Sequence, residues 1–563
     1  MSTIPLGGTG RTQTHSQWSV PGSHIAENDF ASNINSNEIL DLPVAEKMPT
    51  EVDIEESLEV RIERLGRERP PTFKSIWQEL AFLFSVIMSQ VLTEYFVSGF
   101  GVILPTLIRE LNIPASAIVW PATAFSLVIA STLLVFGRFG DMWGAYPVYL
   151  WGFSWLCVWS IICGFSINPM MLNFCRALQG LGAAAFLPTG VMIIGSVYRP
   201  GPRKNIVFAL YGTFAVVGFF LGIFCGGVVG QFLRWSWYFW IGAFLAAISI
   251  VTSIFSIPND RKERRSNNIK MDWLGTLVLI PGLVLIVFSI TQSAHADLRW
   301  RTPYIPTLFV VGCLFLFVAV YIEGWVAEFP LLPADLFKVP HMTPLLLALL
   351  LLYGTAGIVL LYATQYFQNI LNASPLEIVA WYTPMVLGGL FLSLIEGFIL
   401  HMVPGRILLV ISALGAVGCQ VLLATLPDSP NYWAWIFPAM VLCTVGIDLS
   451  YTLASVFVTT QFPKARQGLA GGLLNSVLQL GVALLLGASD IIQSYTVDEV
   501  GLKHSYKNVF WLGTAAACVS VVVIAIWGGI PRAKSDLTAD EKLELEREAT
   551  RMASQSVEHT TTR

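Results

Sequence analysis

Gly137-Arg138-Phe139-Gly140-Asp141-Met142-Trp143-Gly144 is the stretch whose reading decides the fold. It separates two apolar runs, Ala117 to Phe136 and Tyr146 to Phe165. Each is close to the roughly 20 residues that a helix needs to cross a bilayer. Membrane helices joined by so tight a turn need glycine, which adopts backbone angles that other residues avoid. They also need their charges outside the hydrocarbon. Arg138 and Asp141 stand three apart and are placed to pair across one turn.

The rest of the chain repeats this pattern. A soluble protein of 563 residues would form roughly two to four domains. Here 55% of the residues are hydrophobic, 12% are charged, and the mean hydropathy is +0.65. Many separate apolar runs of about 20 residues mark a polytopic membrane protein. The net charge of -4 gives no basis for a nucleic-acid partner. The eight cysteines lie inside apolar runs, with neither metal-ligand spacing nor a loop-disulfide pattern. They read as small packing residues, and no metal is expected. No signal peptide opens the chain, so the first span is expected to serve as the insertion signal.

Fourteen spans are expected, at 78–103, 117–136, 146–165, 169–195, 205–229, 236–256, 273–291, 304–322, 343–363, 377–399, 407–425, 433–456, 469–489 and 507–529. The fold class is an all-α membrane protein. Its domains are a disordered tail at 1–75, a six-helix bundle at 76–257, a basic connector with spans 7 and 8 at 258–342, a second six-helix bundle at 343–530 and a tail at 531–563. A short surface helix is expected at 54–65 and a charged one at 538–552. One set of short loops carries thirteen Lys and Arg residues and the other carries six. The positive-inside rule puts the richer set, and with it both termini, in the cytosol.

Polar groups inside the spans are the candidate site. A charged carboxylate at mid-membrane costs roughly 2.5–3.5 kcal/mol on insertion scales, so an intramembrane acid is a functional candidate by default. Glu94 in span 1 and Asp448 in span 12 are the two deep ones, with a buried hydrogen-bonded carboxyl as the alternative for each. Arg176 and Gln179 share one face of span 4, and Asn475 and Gln479 share one face of span 13. With Gln90 and Gln365, the amides are candidates to line a substrate cavity, or to make polar contacts between helices. Glu396 is expected at the membrane interface. Gly218, Gly222 and Gly226 recur every fourth residue beside Gly227, making a flat stripe for close helix contact. Asn372-Ala-Ser374 is a glycosylation sequon, disfavoured by the Pro375 that follows. No nucleophile–base pair or phosphate loop points to an enzyme.

These stretches resemble the signatures of one family, the major facilitator superfamily. The opening loop is similar to its G-x-L-A-D-R-x-G-R-R motif. Gly137, Asp141 and Gly144 match, Phe139 and Gly140 are near substitutes, and Met142, Ala145 and Tyr146 depart from it. Arg176-Ala-Leu-Gln179-Gly180-Leu-Gly182-Ala-Ala resembles R-x-x-Q-G-x-G-A-A without a mismatch. Gly218 to Gly227 resembles the antiporter signature G-x-x-x-G-P-x-x-G-G, with Ile223 in place of its proline. In the fourteen-helix drug:proton antiporters an acid often precedes the proline of a Leu-Pro pair by nine residues. Here Glu94 precedes Pro105 by eleven. Gly446-Ile-Asp448-Leu-Ser450-Tyr451 looks like the fungal aminotriazole-resistance and boron-export transporters, and the likeness covers about 75 to 530. Span 12 lines up with span 4, and Gly481 falls where Gly218 does, as two repeated halves would require.

The resemblance implies two six-helix bundles with an extra central pair. It implies a monomeric, proton-coupled secondary transporter in the lipid bilayer. Such a protein exports a small toxic molecule, drug or secondary metabolite by alternating access, drawing on the proton gradient and no cofactor. It places Arg176 in the central cavity as a fixed positive charge that tunes Glu94 and Asp448. It ties Gly137, Arg138, Gly140, Asp141 and Gly144, with the glycine stripe, to the conformational change. The cell membrane is the expected location, with the vacuolar membrane as the alternative. Uptake of a small solute or iron chelate is the alternative direction, and a non-transporting membrane sensor is the alternative of another class.

Overall fold

A computed structural model describes residues 69–70, 72–114, 117–198, 202–260, 270–332, 335–461 and 467–530. The surface helix expected at 54–65, the basic cluster at 261–265 and the helix expected at 538–552 lie outside the described residues. Among the described residues there is no strand.

The first half holds α1 (Ile76–Leu111), α2 (Trp120–Trp143), α3 (Ala145–Cys163), α4 (Pro169–Val197), α5 (Pro202–Phe232) and α6 (Ser236–Ser256). The central pair is α7 (Trp273–Ser293) and α8 (Tyr304–Tyr321), whose end widens into a π turn at Ile322–Val326. The second half begins with α9 (Met342–Ile358), which runs through a π turn at Val359–Ala363 into Thr364–Asn369. It continues with α10 (Pro375–Met402), α11 (Gly405–Ala424), α12 (Phe437–Gln461) and the element Gln467–Trp527. Local chemistry sets several of the starts. Asn168 accepts from Met171 N at 2.8 Å ahead of α4, and Asp272 accepts from Gly275 N at 2.8 Å ahead of α7. Ser374 and Glu377 form a capping box on α10.

Thirteen of the described helices are long and apolar enough to cross a membrane. The last, Gly471–Trp527, has 57 residues. At 1.5 Å per residue it would measure about 85 Å, against a hydrocarbon core of about 30 Å. It breaks at Gly501, where φ is 79° and the backbone leaves the helix. The limb before Gly501 is α13 and the limb after it α14, which gives fourteen passes. The break comes later than the expected end of span 13 at 489, because neither Gly nor Pro stands between Ser489 and Val500.

The opening loop is also shorter than its reading. The residues from Gly137 to Trp143 continue α2, and the turn is Gly144 alone, with φ 101°. Asp260 caps the helix that follows, its carboxylate accepting from Ala145 N at 2.9 Å and Tyr146 N at 3.1 Å. An anion at a helix start satisfies free N–H groups and the helix dipole together.

Within the halves, α1 packs on α5 and α6, and α9 packs on the α13–α14 element. Without water to drive helices together in lipid, close backbone contact does the work, and small residues permit it. A Cβ on Gly218 would lie 2.6 Å from Val91 O, one on Gly222 2.5 Å from Tyr95 O, and one on Gly226 2.7 Å from Gly99 O. The stripe is the α1–α5 contact. Gly481 presses on Leu350 O of α9 in the same way, so the two halves repeat this seam. Across the halves, α2 meets α13 where Gly472 faces Leu133 and Leu134. There too α5 meets α10, where Gly227 faces Val379.

Candidate functional site

Arg176 lies two turns into α4 and is 1% exposed. Its guanidinium donates to Pro121 O at 3.1 Å, Phe96 O at 3.0 Å and Gln179 Oε1 at 3.3 Å. It lies 4.3 and 4.4 Å from the ring centres of Phe100 and Phe125. Carbonyl dipoles and ring faces thus spread the charge. Gln179 is fully buried and donates to Ser160 Oγ at 2.9 Å. It braces Arg176 against α3. These bonds run within the first half, and none goes to a carboxylate.

The acids stand elsewhere. Most of α1 between Ser85 and Leu104 is buried, while Glu94 and Val97 keep partial exposure. Gln90, one turn earlier and 4% exposed, donates to Tyr451 Oη of α12 at 3.3 Å, which joins the two halves. Asp448 lies three residues before Tyr451. A Cβ on Gly389 of α10 would sit 2.5 Å from Asp448 Oδ2, with Val216 of α5 beside it. Glu94 and Asp448 lie within electrostatic reach of each other and of Tyr353 of α9, and Glu94 also reaches Tyr451.

Glu396 is 1% exposed and lies on α10 three residues past the apolar span Pro375–Ser393. Among the described residues, neither of its carboxylate oxygens has a hydrogen-bond partner in standard geometry. Thr452, four residues beyond Asp448, faces it without a bond of standard geometry. Glu396 stands seven residues on from Gly389, on the same face of α10. Sequence reasoning missed Gly389, although a glycine is what lets a carboxylate approach a neighbouring helix so closely.

The remaining amides divide. Asn475 Nδ2 donates to Gly471 O of its own helix at 3.0 Å, while Gln479 Oε1 is buried without a donor. Gln365 is 2% exposed and accepts from Tyr506 Oη at 3.2 Å. Asn372 is exposed in the turn before α10, with φ 56°.

The α2–α3 signature grips the strand of chain leaving the central pair. Arg138 Nη2 donates to Phe329 O at 3.1 Å and Pro330 O at 2.5 Å. From the other side, Glu323 Oε2 accepts from Leu332 N at 3.0 Å. Leu331, 1% exposed, plugs between Val135 and Met271. Gly137, Arg138 and Asp141 share a niche with Leu331, Leu469 and Gly472. Gly140 packs on Thr189 and Met192 of α4.

Other buried acids are partnered. Glu79, 3% exposed, takes Arg203 Nε at 2.9 Å, Arg203 Nη2 at 2.6 Å and Tyr198 Oη at 3.0 Å. Burial, with the Glu79 carboxylate alongside, pushes the Tyr198 hydroxyl above the usual phenol range. Asp490, just past the expected end of span 13 and absent from the sequence reading, is 3% exposed and meets His295 Nε2 at 3.0 Å.

Comparison with known proteins agrees with this geometry. A profile of the Major Facilitator Superfamily matches residues 86–486. The low affinity ammonium transporter of Saccharomyces cerevisiae is 31% identical over 490 residues, covering 84% of this chain and 93% of the relative. Efflux pump terJ of Aspergillus terreus is 29% identical, covering 82% and 89%. The aminotriazole resistance protein of Saccharomyces cerevisiae is 29% identical, covering 82% and 86%. The crystal structure of nucleoside transporter NupG superposes with a TM-score of 0.53 at 13% identity, over 80% of this chain and 99% of that one, and so shares the fold. The chain belongs to the Major Facilitator Superfamily and is a multi-pass membrane transporter, not an enzyme.

Proposed function

We propose that this transporter is a proton-coupled exporter of a small toxic molecule, drug or secondary metabolite, working by alternating access between its halves. One observation carries the reading. Gln90, one turn before Glu94, donates to Tyr451, three residues after Asp448, so the deep acids of the two halves flank one polar contact across the seam. A carboxylate that is charged in one facing state and protonated in the other ties proton movement to the rocking of the halves. Each charge moved through 100 mV is worth about 2.3 kcal/mol, enough to drive such exchange. The direction rests on relatives described as an efflux pump and a resistance protein. Arg176 enters as a fixed part of the first half that holds α1, α2 and α4 in register beside Glu94. We assign the protein to the cell membrane as a monomer with both termini in the cytosol.

Uptake is the second reading, and the relative described as an ammonium transporter favours it. Vesicles carrying the purified protein, given a pH gradient of each sign, separate the two by the direction of solute flux. Glu94→Gln and Asp448→Asn are expected to abolish gradient-driven flux. Flux unimpaired in both variants removes the proton mechanism.

A further inference from the structure

The central pair, α7 and α8, belongs to neither repeated half, yet it is fastened to both, at opposite ends. At the end that carries Gly144, the first half holds the chain leaving α8. Arg138 of α2 donates to Phe329 O and Pro330 O, and Leu331 is buried beside Val135. Trp273, at the start of α7, lies 6.2 Å from Phe139 of α2, ring centre to ring centre. At the far end, the second half holds the turn that follows α7. His295 Nε2 meets Asp490 Oδ2 of α13 at 3.0 Å, and the Arg299 guanidinium lies 3.7 Å from the ring centre of Tyr495 on the same helix. Arg299 has a φ of 54°, a conformation that strains any residue with a side chain. The turn holds it there, with its charge on the Tyr495 ring.

Between these fastenings the contacts are apolar. Val287 of α7 shares a cluster with Leu127 of α2 and Ala483 of α13, and Trp120 of α2 faces Phe288. Apolar contact has no preferred direction and lets helices slide, whereas a hydrogen bond holds only in a narrow geometry. With 21 residues in α7, the two fastenings stand about 30 Å apart. Halves that rock part at one end at a time. When they part at the Gly144 end, α7 follows α2 there while α13 still holds its other end, so the pair has to tilt against a fastening.

We propose that α7 and α8 form a brace between the halves, and that its grip on α13 at the far end governs closure at the Gly144 end. This goes beyond the transport reading, since a brace acts alike on uptake and export and requires no particular solute or driving ion. Coupling between two sites is mutual, so loosening the grip on α2 also loosens the grip on α13.

Hydrogen exchange of the full-length protein in detergent, read by mass spectrometry at one pH, tests this. Arg299→Ala and His295→Ala together cut the far grip. They are expected to speed exchange of the amides in 327–332 by about fivefold or more, while the amides of α11 keep the parent rate. Arg138→Gln cuts the near grip and is expected to speed exchange in 290–298. Acceleration confined to 290–302 and 487–498 in the double variant overturns the proposal. So does an equal acceleration in α11, which marks general loosening, or an unchanged rate in 290–298 for Arg138→Gln. Should the double variant fail to fold, Tyr495→Leu, which removes the ring from the α13 side, takes its place under the same criteria.

Discussion

Arg176 and Glu396 are equally hidden, each 1% exposed, yet their surroundings are opposite. The guanidinium donates to two main-chain carbonyls and a glutamine between two aromatic rings. Among the described residues, the carboxylate has no donor in standard hydrogen-bond geometry, with only the Thr452 hydroxyl facing it. A buried charge whose bonds are all made is scaffold, because moving it would leave its partners bare. A buried charge with none is unstable as it stands and must exchange something. The difference assigns roles that burial alone does not.

Arg176→Ala tests the first side of that contrast most severely. It strips the donor from Phe96 O, Pro121 O and Gln179 at once, and each buried acceptor left bare costs about 1–3 kcal/mol. The folded fraction on size-exclusion chromatography is expected to collapse, and a normal profile would mean that the network is dispensable. Gly222→Ala comes next. Its methyl would sit 2.4 Å from Ser98 Oγ and 2.5 Å from Tyr95 O, and overpacking of this kind costs about 1–3 kcal/mol. A lowered melting temperature is the expected reading. Glu79→Gln removes the charge facing Arg203, whose side chain is 29% exposed, so water screens part of the loss, leaving about 1–2 kcal/mol. The smallest effect on stability sharpens the contrast most. Glu396→Gln is expected to leave the melting temperature unchanged or raised while gradient-driven transport falls at least tenfold. A variant that melts early would move Glu396 to the scaffold side with Arg176.

Much of the candidate site was readable because membrane burial punishes polar residues. Glu94, Asp448 and Arg176 stood out as ionisable groups within apolar runs, and the glycine stripe stood out by its spacing. Asp490 was missed because the end of span 13 was drawn too early. An apolar run does not say where a helix stops, and a helix goes on through polar residues until a backbone break such as Gly501. The grip of Arg138 on Phe329 and Pro330 spans 191 and 192 residues, and no local pattern encodes such a distance.

The amino-acid sequence alone determined that this chain crosses the membrane about fourteen times, in two repeated halves with an added pair, and that it carries the marks of its family. Hydrophobic length and glycine spacing act within a helix or between near neighbours, so they are legible in one dimension. Only the tertiary structure decided which buried charges are spoken for. Hydrogen-bond partnership depends on which faces of distant helices meet. It therefore separated Arg176, whose guanidinium is fully bonded, from Glu396, which meets no donor in standard geometry among the described residues.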